Sequence, residues 1–404
     1  MTLRPLTLIG IILSLVTGVA LGVLFYVETR PATKSPAADT INAALAEVAA
    51  KYVEEISEEE LVELAIDGMM SGLDDHSDYL DPIAYESLET QTTGRFGGIG
   101  IELGEIDGQF IVVAPMDDTP AARAGIKAGD QIIKINDDEI TGRKMRYIVE
   151  RLRGEPGSSV ALTVLRETDE LGEEFDGEDD QNEVFEEIDF DLTRAAIRIA
   201  SVRSRMLSPG IGYVRISQFQ VNTGPDVAAH IEELEDEAGS DLRGLVIDLR
   251  NNPGGTLQSS VEVADHFLDK GTIVSTAGRL PSAAAQYAAT RGDILEDRPI
   301  VVLIIGGSAS ASEIVAASLK DHEPATLLGT RSFGKGSVQS VVPLDDAQAL
   351  KLTTAYYYSP DGHTIHGKGI EPHHTFEGDE EELLDEAVQF INSLNPDELQ
   401  ARLP

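Results

Sequence analysis

The stretch that decides the fold is IIGGSASASEIVAASLKDH, Ile304–His322. An apolar strand runs into the pair Gly306-Gly307 and is followed by a helical pattern, as expected where a buried strand turns into a helix. Ser310 and Glu313 form the S-x-x-E pattern of a helix capping box. A serine at this position also lies at the positive end of the helix dipole, so it is a candidate nucleophile as well as a cap.

The serines around Ser310 decide which class of hydrolase the pattern favours. Ser308 and Ser312 stand where the G-x-S-x-G elbow of α/β-hydrolases needs glycine, which disfavours a Ser-His-Asp hydrolase. Both are interpreted as turn and helix residues. The N–H of Ala311 is positioned to stabilise an oxyanion formed on attack by Ser310.

A second stretch, GTRSFGKGSVQSVVPL (Gly329–Leu344), looks at first like a Walker A loop around Lys335. Gly336 stands where the loop needs Ser or Thr, and SVQSVVPL has the pattern of a strand where a P-loop needs a helix. The sequence therefore disfavours an NTPase and predicts Lys335 at the start of a strand.

The surrounding segment alternates strands and helices. Predicted strands GYVRISQF, GLVIDLR and PIVVLII are separated by helices near 225–237 and 257–268. This order predicts an α/β core with a largely parallel sheet over residues 196–376.

Residues 94–195 alternate short strands with Gly and Pro turns, and two motifs in them resemble those of a PDZ domain, a β-rich module with short helices. The stretch TPAARAGIKAGDQIIKIND is typical of such modules, and Gly98-Ile99-Gly100-Ile101 stands where their carboxylate-binding loop lies. Backbone N–H groups in such a loop capture the C-terminus of a peptide that adds to the sheet edge. Residues 167–190 are acidic and predict a solvated hairpin insertion in the last PDZ strands.

The ends of the chain predict a membrane anchor and helical flanks. Leu6–Val27 carries no charge over a length that spans a bilayer, so residues 1–29 are interpreted as a retained anchor in preference to a cleaved signal. The sequence pattern predicts a helical region over residues 39–93 and a helical tail over residues 377–404. An N-terminal anchor most simply places the rest of the chain in the periplasm of a bacterial envelope. If the segment is cleaved, the rest of the chain would be released there.

Composition excludes several functions. A formal net charge of −40 argues against nucleic-acid binding, and the absence of cysteine excludes a thiol nucleophile and disulfides. His363, His366, His373 and His374 cluster in the sequence, but without a third ligand at recognisable spacing they are interpreted as loop residues. No metal or other cofactor is predicted.

Together the motifs resemble the C-terminal processing (tail-specific) peptidase family, from about Ile41 to about Pro372. Ser310, Lys335 and Gln339 have the family spacing, and DLRNNPGG, SPDGHTIHGKGIEP and GLDDHSDYLDP match outside it. The resemblance implies a serine endopeptidase with a PDZ domain and an α/β core related in fold to ClpP and crotonase. A catalytically dead PDZ adaptor would show damage at the dyad positions, and the sequence shows none.

The resemblance also implies roles for single residues. Ser310 would be the nucleophile, Lys335 the general base and Gln339 the residue that orients the lysine, while Gly255 and Ala311 give oxyanion N–H groups. A lysine accepts a proton only when neutral, so its pKa must fall from ~10.4 toward ~7 to 8. Expected partners are proteins with apolar C-terminal tails; an adaptor or activator and a homo-oligomer stay open.

Overall fold

The computed structural model describes residues 35–106, 108–168, 184–344, 347–376 and 378–394. The chain forms two compact units that divide between Tyr79 and Leu80. In the described part of the first unit lie α1 (Pro36–Lys51) and α2 (Glu58–Ser71), and β1 (Asp78–Leu80) spans the division. Across the described ranges, no helix is long and apolar enough to cross a bilayer. The predicted anchor, residues 1–29, lies outside them.

The second unit begins with α3 (Pro82–Thr93) and continues into a β-rich domain. Its strands and helices are, in chain order, β2 (Arg95–Gly98), β3 (Ile101–Ile106), β4 (Gln109–Pro115), α4 (Pro120–Ala124), β5 (Gln131–Ile135), β6 (Asp138–Glu139), α5 (Met145–Leu152), β7 (Ser159–Thr168), β8 (Val184–Thr193) and β9 (Ala195–Arg198). Strands β3, β4, β5, β7 and β8 form one antiparallel sheet, and β2 pairs with β9. Its core includes Phe110, Val112, Ile135, Ile148 and Val164.

A long hairpin lies near the end of this domain, and part of the predicted acidic insertion, residues 167–168 and 184–190, belongs to its paired strands. Strands β7 and β8 pair over their full lengths, from Ser159 opposite Thr193 to Thr168 opposite Val184. The acidic residues 169–183 between them lie outside the described part of the chain.

The remaining chain forms an α/β core. Its elements are β10 (Val202–Ser208), β11 (Ile211–Ile216), α6 (Thr223–Ala238), β12 (Gly244–Asp248), α7 (Leu257–Asp265), β13 (Thr272–Gly278), a 3₁₀ turn (Pro281–Ala283), β14 (Ala285–Ala288), β15 (Ile300–Ile304), α8 (Ala311–Asp321), β16 (Ala325–Gly329), β17 (Ser337–Pro343), β18 (Ala349–Tyr358), β19 (His374–Thr375) and α9 (Glu380–Ser393).

The central sheet has the order β10-β11-β12-β15-β16-β19, and every pair except β10–β11 is parallel. This confirms the predicted parallel sheet. Alternate residues of its strands point to opposite faces: Ile247 and Val302 pack with helices α6, α7 and α8, whereas Val246 and Val301 pack with α9. Burial on both faces explains why these strands read as continuous apolar runs.

A second, antiparallel sheet contains β13, β14, β17 and β18. Strand β17 begins two residues after Lys335, so the segment that follows the lysine is a strand and not a P-loop helix. The lysine thereby lies at the edge of this sheet, beside the helix that Ser310 begins.

Candidate active site

Ser310 lies at the turn between β15 and α8, where the chain changes direction sharply. Its backbone has φ 57° and ψ −113°, a strained conformation for a residue with a side chain. The flanking serines hold the turn: Ser308 Oγ donates to the Leu249 carbonyl at 2.7 Å, and Ser312 Oγ donates to the Asn252 carbonyl at 3.0 Å. The interpretation of Ser308 and Ser312 as turn and helix residues agrees with these contacts.

Glu313 joins the Ser310 turn to the loop of Lys335. Its buried carboxylate accepts hydrogen bonds from the N–H groups of Ser310 (2.8 Å), Gly334 (2.6 Å) and Lys335 (2.9 Å), and from Ser332 Oγ (2.6 Å). Burial raises its pKa above the ordinary value, and the four hydrogen bonds act in the opposite direction. One side chain therefore fixes the backbones of both proposed catalytic residues.

Replacing Glu313 by Gln should lower both activity and stability. The amide nitrogen would face N–H donors where a carboxylate oxygen accepted two hydrogen bonds, and each buried group left unpaired costs about 1–3 kcal/mol. We expect kcat to fall by about ten- to a thousandfold together with a lower Tm, measured by peptide cleavage and thermal unfolding. The exposed Glu323→Gln is the matched control, and a Glu313→Gln variant with parental kcat would contradict this role.

The loop after β12 lies against the same turn. Gly254 has φ 106°, and a Cβ there would be 2.7 Å from Ser310 Cβ, so only glycine allows this approach. Gly255 has φ 140°, and a Cβ there would be 2.1 Å from the Phe219 carbonyl oxygen. The N–H groups of Gly255 and Ala311 donate to no other residue in the described ranges. Both predicted oxyanion donors are thus unpaired groups.

A Gly255→Ala substitution should therefore reduce turnover. The added methyl group would push the loop away from Phe219 and displace the Gly255 N–H, and losing one oxyanion donor costs about 10²- to 10³-fold in kcat. Steady-state cleavage with KM determined separately checks this. Gly239→Ala is the control, because Gly239 also has positive φ but a Cβ there meets open space; equal kcat losses in the two variants would refute the assignment.

Buried charges hold the DLRNNPGG loop that carries Gly255. Asp248 accepts hydrogen bonds from the Tyr213 hydroxyl and from the guanidinium of Arg250. Burial alone raises the pKa of Asp248, but hydrogen bonds and charge from Arg250 hold that pKa below its ordinary value. Asn252 Oδ1 accepts from the Gly254 N–H at 2.9 Å, which fixes the glycine pair.

Among the described residues, no acidic side chain pairs with the ammonium of Lys335. Its backbone N–H donates to Glu313, but in the described structure its ammonium makes no hydrogen bond or ion pair. Burial lowers its pKa below the ordinary value, and the charge of Lys351 acts in the same direction. Such an environment favours a neutral amine, the form that accepts a proton.

Two further interactions were not expected from the sequence. Tyr357 is a buried residue of β18; burial raises its pKa to about 12, and the side chain of Ser310 acts on that pKa in the opposite direction. The Gln339 amide donates to Ser337 Oγ (2.9 Å) and Thr353 Oγ1 (3.3 Å), so a role in orienting Lys335 stays a prediction. The run Tyr356–Tyr358 gave no reason to select its middle residue, whereas strand alternation places Tyr357 toward the core.

The predicted carboxylate loop lines a pocket of the β-rich domain. Its volume is about 290 Å³, and its lining residues are Phe96, Gly98, Ile99, Gly100, Ile101, Leu103, Met145, Val149, Leu152 and Arg153. All four predicted loop residues are among them. The N–H groups of Ile99 and Gly100 donate to no other described residue, so they are available to an incoming carboxylate.

The clustered histidines do not form a metal site in the described ranges, where no group of three or more His, Asp or Glu residues could hold an ion. His373 instead has a structural contact, since its Nδ1 accepts the Leu327 N–H at 2.9 Å beside β19.

Comparisons with known proteins agree with this architecture. The family model "Peptidase family S41" matches residues 210–376, a PDZ domain model matches 111–166, and the model "Activating protease CtpB N-terminal domain" matches 27–83. The carboxy-terminal-processing protease of Bartonella bacilliformis is 43% identical over 326 residues, which cover 80% of this chain and 71% of that protein.

A second relative, the carboxy-terminal processing protease CtpB of Bacillus subtilis, is 35% identical over 343 residues, 84% of this chain and 68% of that protein. Among solved structures, the photosystem II D1 C-terminal processing protease is 29% identical, with a TM-score of 0.45 and coverage of 83% of this chain and 86% of that one.

The fold and the serine at its strand-to-helix turn define a serine-type peptidase with a PDZ domain. The chain belongs to the carboxy-terminal processing proteases of peptidase family S41. This confirms the family resemblance drawn from the sequence.

Proposed function

We propose that the protein cleaves peptide bonds with a Ser310–Lys335 dyad and recognises the C-terminal tails of envelope proteins through its PDZ pocket. The observation that carries this proposal is the buried Glu313 carboxylate, which ties the Ser310 turn and the Lys335 loop to one point. The unpaired N–H groups of Gly255 and Ala311 beside that turn support it further.

Each group has a role in this mechanism. Neutral Lys335 takes the proton from Ser310 Oγ as that oxygen attacks the peptide carbonyl carbon, and the oxyanion is stabilised by the Gly255 and Ala311 N–H groups. The Lys335 ammonium then protonates the leaving amine. Lys335 next takes a proton from the water that attacks the acyl-enzyme. As the bond to Ser310 Oγ breaks and the second product leaves, the Lys335 ammonium returns this proton to Ser310 Oγ, which regenerates the hydroxyl and the neutral amine.

The PDZ pocket accounts for selection of the tail. Its apolar lining from Met145, Val149 and Leu152 suits an apolar terminal side chain, while the Ile99 and Gly100 N–H groups suit the carboxylate. The domain would hold the tail while upstream residues reach the dyad.

The connection between the pocket and the oxyanion loop supports an allosteric as well as a recruiting role. The Val221 N–H donates to the Thr92 carbonyl at 2.9 Å, just before β2, the strand that leads into the pocket. Two residues before Val221, Phe219 donates to the Gly254 carbonyl and accepts from the Thr256 N–H, both at 2.8 Å. Tail binding that moves β2 would therefore act on Gly255 through Phe219.

A Val149→Glu variant tests tail recognition. A carboxylate in the pocket would repel the substrate carboxylate and oppose burial of an apolar side chain, so KM for a tailed substrate should rise at least about tenfold, or 1.4 kcal/mol. Val113→Glu, at an exposed position of β4 outside the pocket, is the matched control. Unchanged KM in Val149→Glu, or equal loss on a substrate with an amidated C-terminus, would count against recognition by this pocket.

Localisation and partners follow from the same model. The apolar segment Leu6–Val27 supports an inner-membrane anchor with the protease domain in the periplasm, where tails of envelope proteins are available. An activator protein is proposed because the model of an activating protease's N-terminal domain matches residues 27–83. Protease digestion of spheroplasts, with and without detergent, tests the location.

A further inference from the structure

The carbonyl groups of the predicted carboxylate loop, residues 98–101, are held by α4 and by the turn that leads into this helix. The Ala121 N–H of α4 donates to the Ile99 carbonyl at 3.0 Å, and the Met116 N–H donates to the Gly100 carbonyl at 2.9 Å. Among the described residues that line the PDZ pocket, none belongs to α4 or to the turn before it. The carbonyl groups of Ile99 and Gly100 therefore point away from the pocket.

This arrangement fixes the direction of two N–H groups of the loop. In a trans peptide, the carbonyl of one residue and the N–H of the next residue lie in one plane and point in opposite directions. The Gly100 N–H is thus opposed to the Ile99 carbonyl, and the Ile101 N–H is opposed to the Gly100 carbonyl. Because both carbonyls are bound on the side of α4, both N–H groups point toward the pocket.

The edge of the sheet beside these N–H groups is open. Strand β3 begins at Ile101, is the first strand of its sheet, and pairs only with β4 among the described strands. A peptide tail can therefore add to the outer edge of β3 while its terminal carboxylate accepts hydrogen bonds from the loop. The direction of the Gly100 and Ile101 N–H groups then decides how well a carboxylate is bound.

One buried side chain joins the loop, the turn and α4. Thr119 Oγ1 lies 2.6 Å from the Met116 carbonyl oxygen and 3.1 Å from the Gly100 carbonyl oxygen, so its single proton is shared between them. The same oxygen accepts the Ala122 N–H at 3.4 Å, as the N-cap of α4. A Cβ at Gly100 would lie 2.4 Å from Thr119 Cβ, so the two residues are packed directly against each other.

We infer that Thr119 is a positioning residue for tail binding: its hydroxyl holds the loop carbonyls on the side of α4, so that the Gly100 and Ile101 N–H groups stay directed at the terminal carboxylate. Thr119 acts through the loop and does not touch the tail. This inference rests on the proposed recognition of tails by the PDZ pocket. A threonine that only capped α4 would affect stability and not the preference for a carboxylate.

Binding of a peptide and of its amide tests this role in the whole chain. The probes are a fluorescein-labelled unstructured peptide that ends in valine and the same peptide with an amidated C-terminus. Fluorescence anisotropy gives both Kd values, and Ser310→Ala in every sample prevents cleavage. In Thr119→Val, the Kd of the carboxylate peptide should rise about three- to tenfold, the effect of losing one hydrogen bond, and the Kd of the amide should change less. Thr119→Ser keeps the hydroxyl and should keep the parental ratio of the two Kd values.

Thr163→Val is the matched control for general loss of stability. Thr163 is a second buried threonine of this domain, its Oγ1 donates to Asp189 Oδ1 at 2.7 Å, and it does not line the pocket. This variant should lower Tm and leave the ratio of the two Kd values unchanged. An equal change of the ratio in Thr163→Val and Thr119→Val would overturn the inference. If Thr119→Val does not fold, Thr119→Ala carries the same expectation.

The same measurements distinguish failure of this inference from failure of the proposed function. If the parent binds the carboxylate peptide and its amide equally well, the pocket does not recognise a terminal carboxylate, and both proposals are wrong. If the parent prefers the carboxylate and a folded Thr119→Val has the same preference, tail recognition stands and the role of Thr119 is rejected.

Discussion

Replacing Ser310 by Ala is expected to reduce kcat/KM for peptide cleavage by about 10³-fold or more, the loss typical when a serine nucleophile is removed. The fold should survive, because the Ser310 contact that fixes the turn is its backbone N–H to Glu313, which alanine keeps. Cleavage of an unstructured protein with an apolar C-terminus measures the loss, and thermal unfolding measures the stability.

Ser312 provides the matched control for this experiment. Its hydroxyl is buried and donates to the Asn252 carbonyl, so Ser312→Ala should lose stability of about 1 kcal/mol and retain most of the activity. Full activity in Ser310→Ala would remove the nucleophile from the account, and an inactive but folded Ser312→Ala would move it to the neighbouring serine.

The second large effect is expected from Lys335→Met, which keeps the length of the side chain and removes the amine. Loss of a positioned general base costs about 10²- to 10⁴-fold in rate. The stability of the folded protein should rise or stay constant, because an apolar side chain avoids the cost of desolvating an amine. Measurements of kcat/KM and Tm on the same variant check both expectations, a lower kcat/KM and an equal or higher Tm.

Lys320→Met is the control for Lys335→Met. Lys320 is near the other end of α8, where its ammonium donates to the Glu371 carbonyl at 2.8 Å, so its loss should leave kcat/KM near the parental value. A Lys335→Met variant that loses activity only because it unfolds would show a lowered Tm and would not support a catalytic role.

Much of the core was predictable because its signals are local. Buried strands such as Ile300–Ile304 are continuous apolar runs, and the Gly-Gly turn before α8 interrupts that pattern where the strand ends. The strand after Lys335 followed from β-branched residues at alternating positions, which excluded the P-loop helix. The positions of Ser310 and Lys335 therefore followed from patterns a few residues long.

Contacts between distant segments were not predictable in this way. The capping-box pattern indicated that Glu313 would accept a hydrogen bond from the Ser310 N–H. It did not indicate the hydrogen bonds that Glu313 also accepts from Ser332 Oγ and from the N–H groups of Gly334 and Lys335, about twenty residues away. Such partners depend on how the loop after β16 folds against α8. The same holds for Tyr357, whose interaction with the Ser310 side chain depends on how β18 pairs with β13 and β17.

The central claim is that Lys335 activates Ser310 to cleave tailed proteins, and one measurement tests it most directly. The parent enzyme and its Lys335→Ala variant are incubated with an unstructured protein that ends in an apolar residue, and the products are identified by mass spectrometry. We predict new peptide fragments with the parent and none, at equal enzyme concentration and with the fold intact, with the variant. Cleavage by Lys335→Ala at the parental rate and at the same bonds would contradict the dyad.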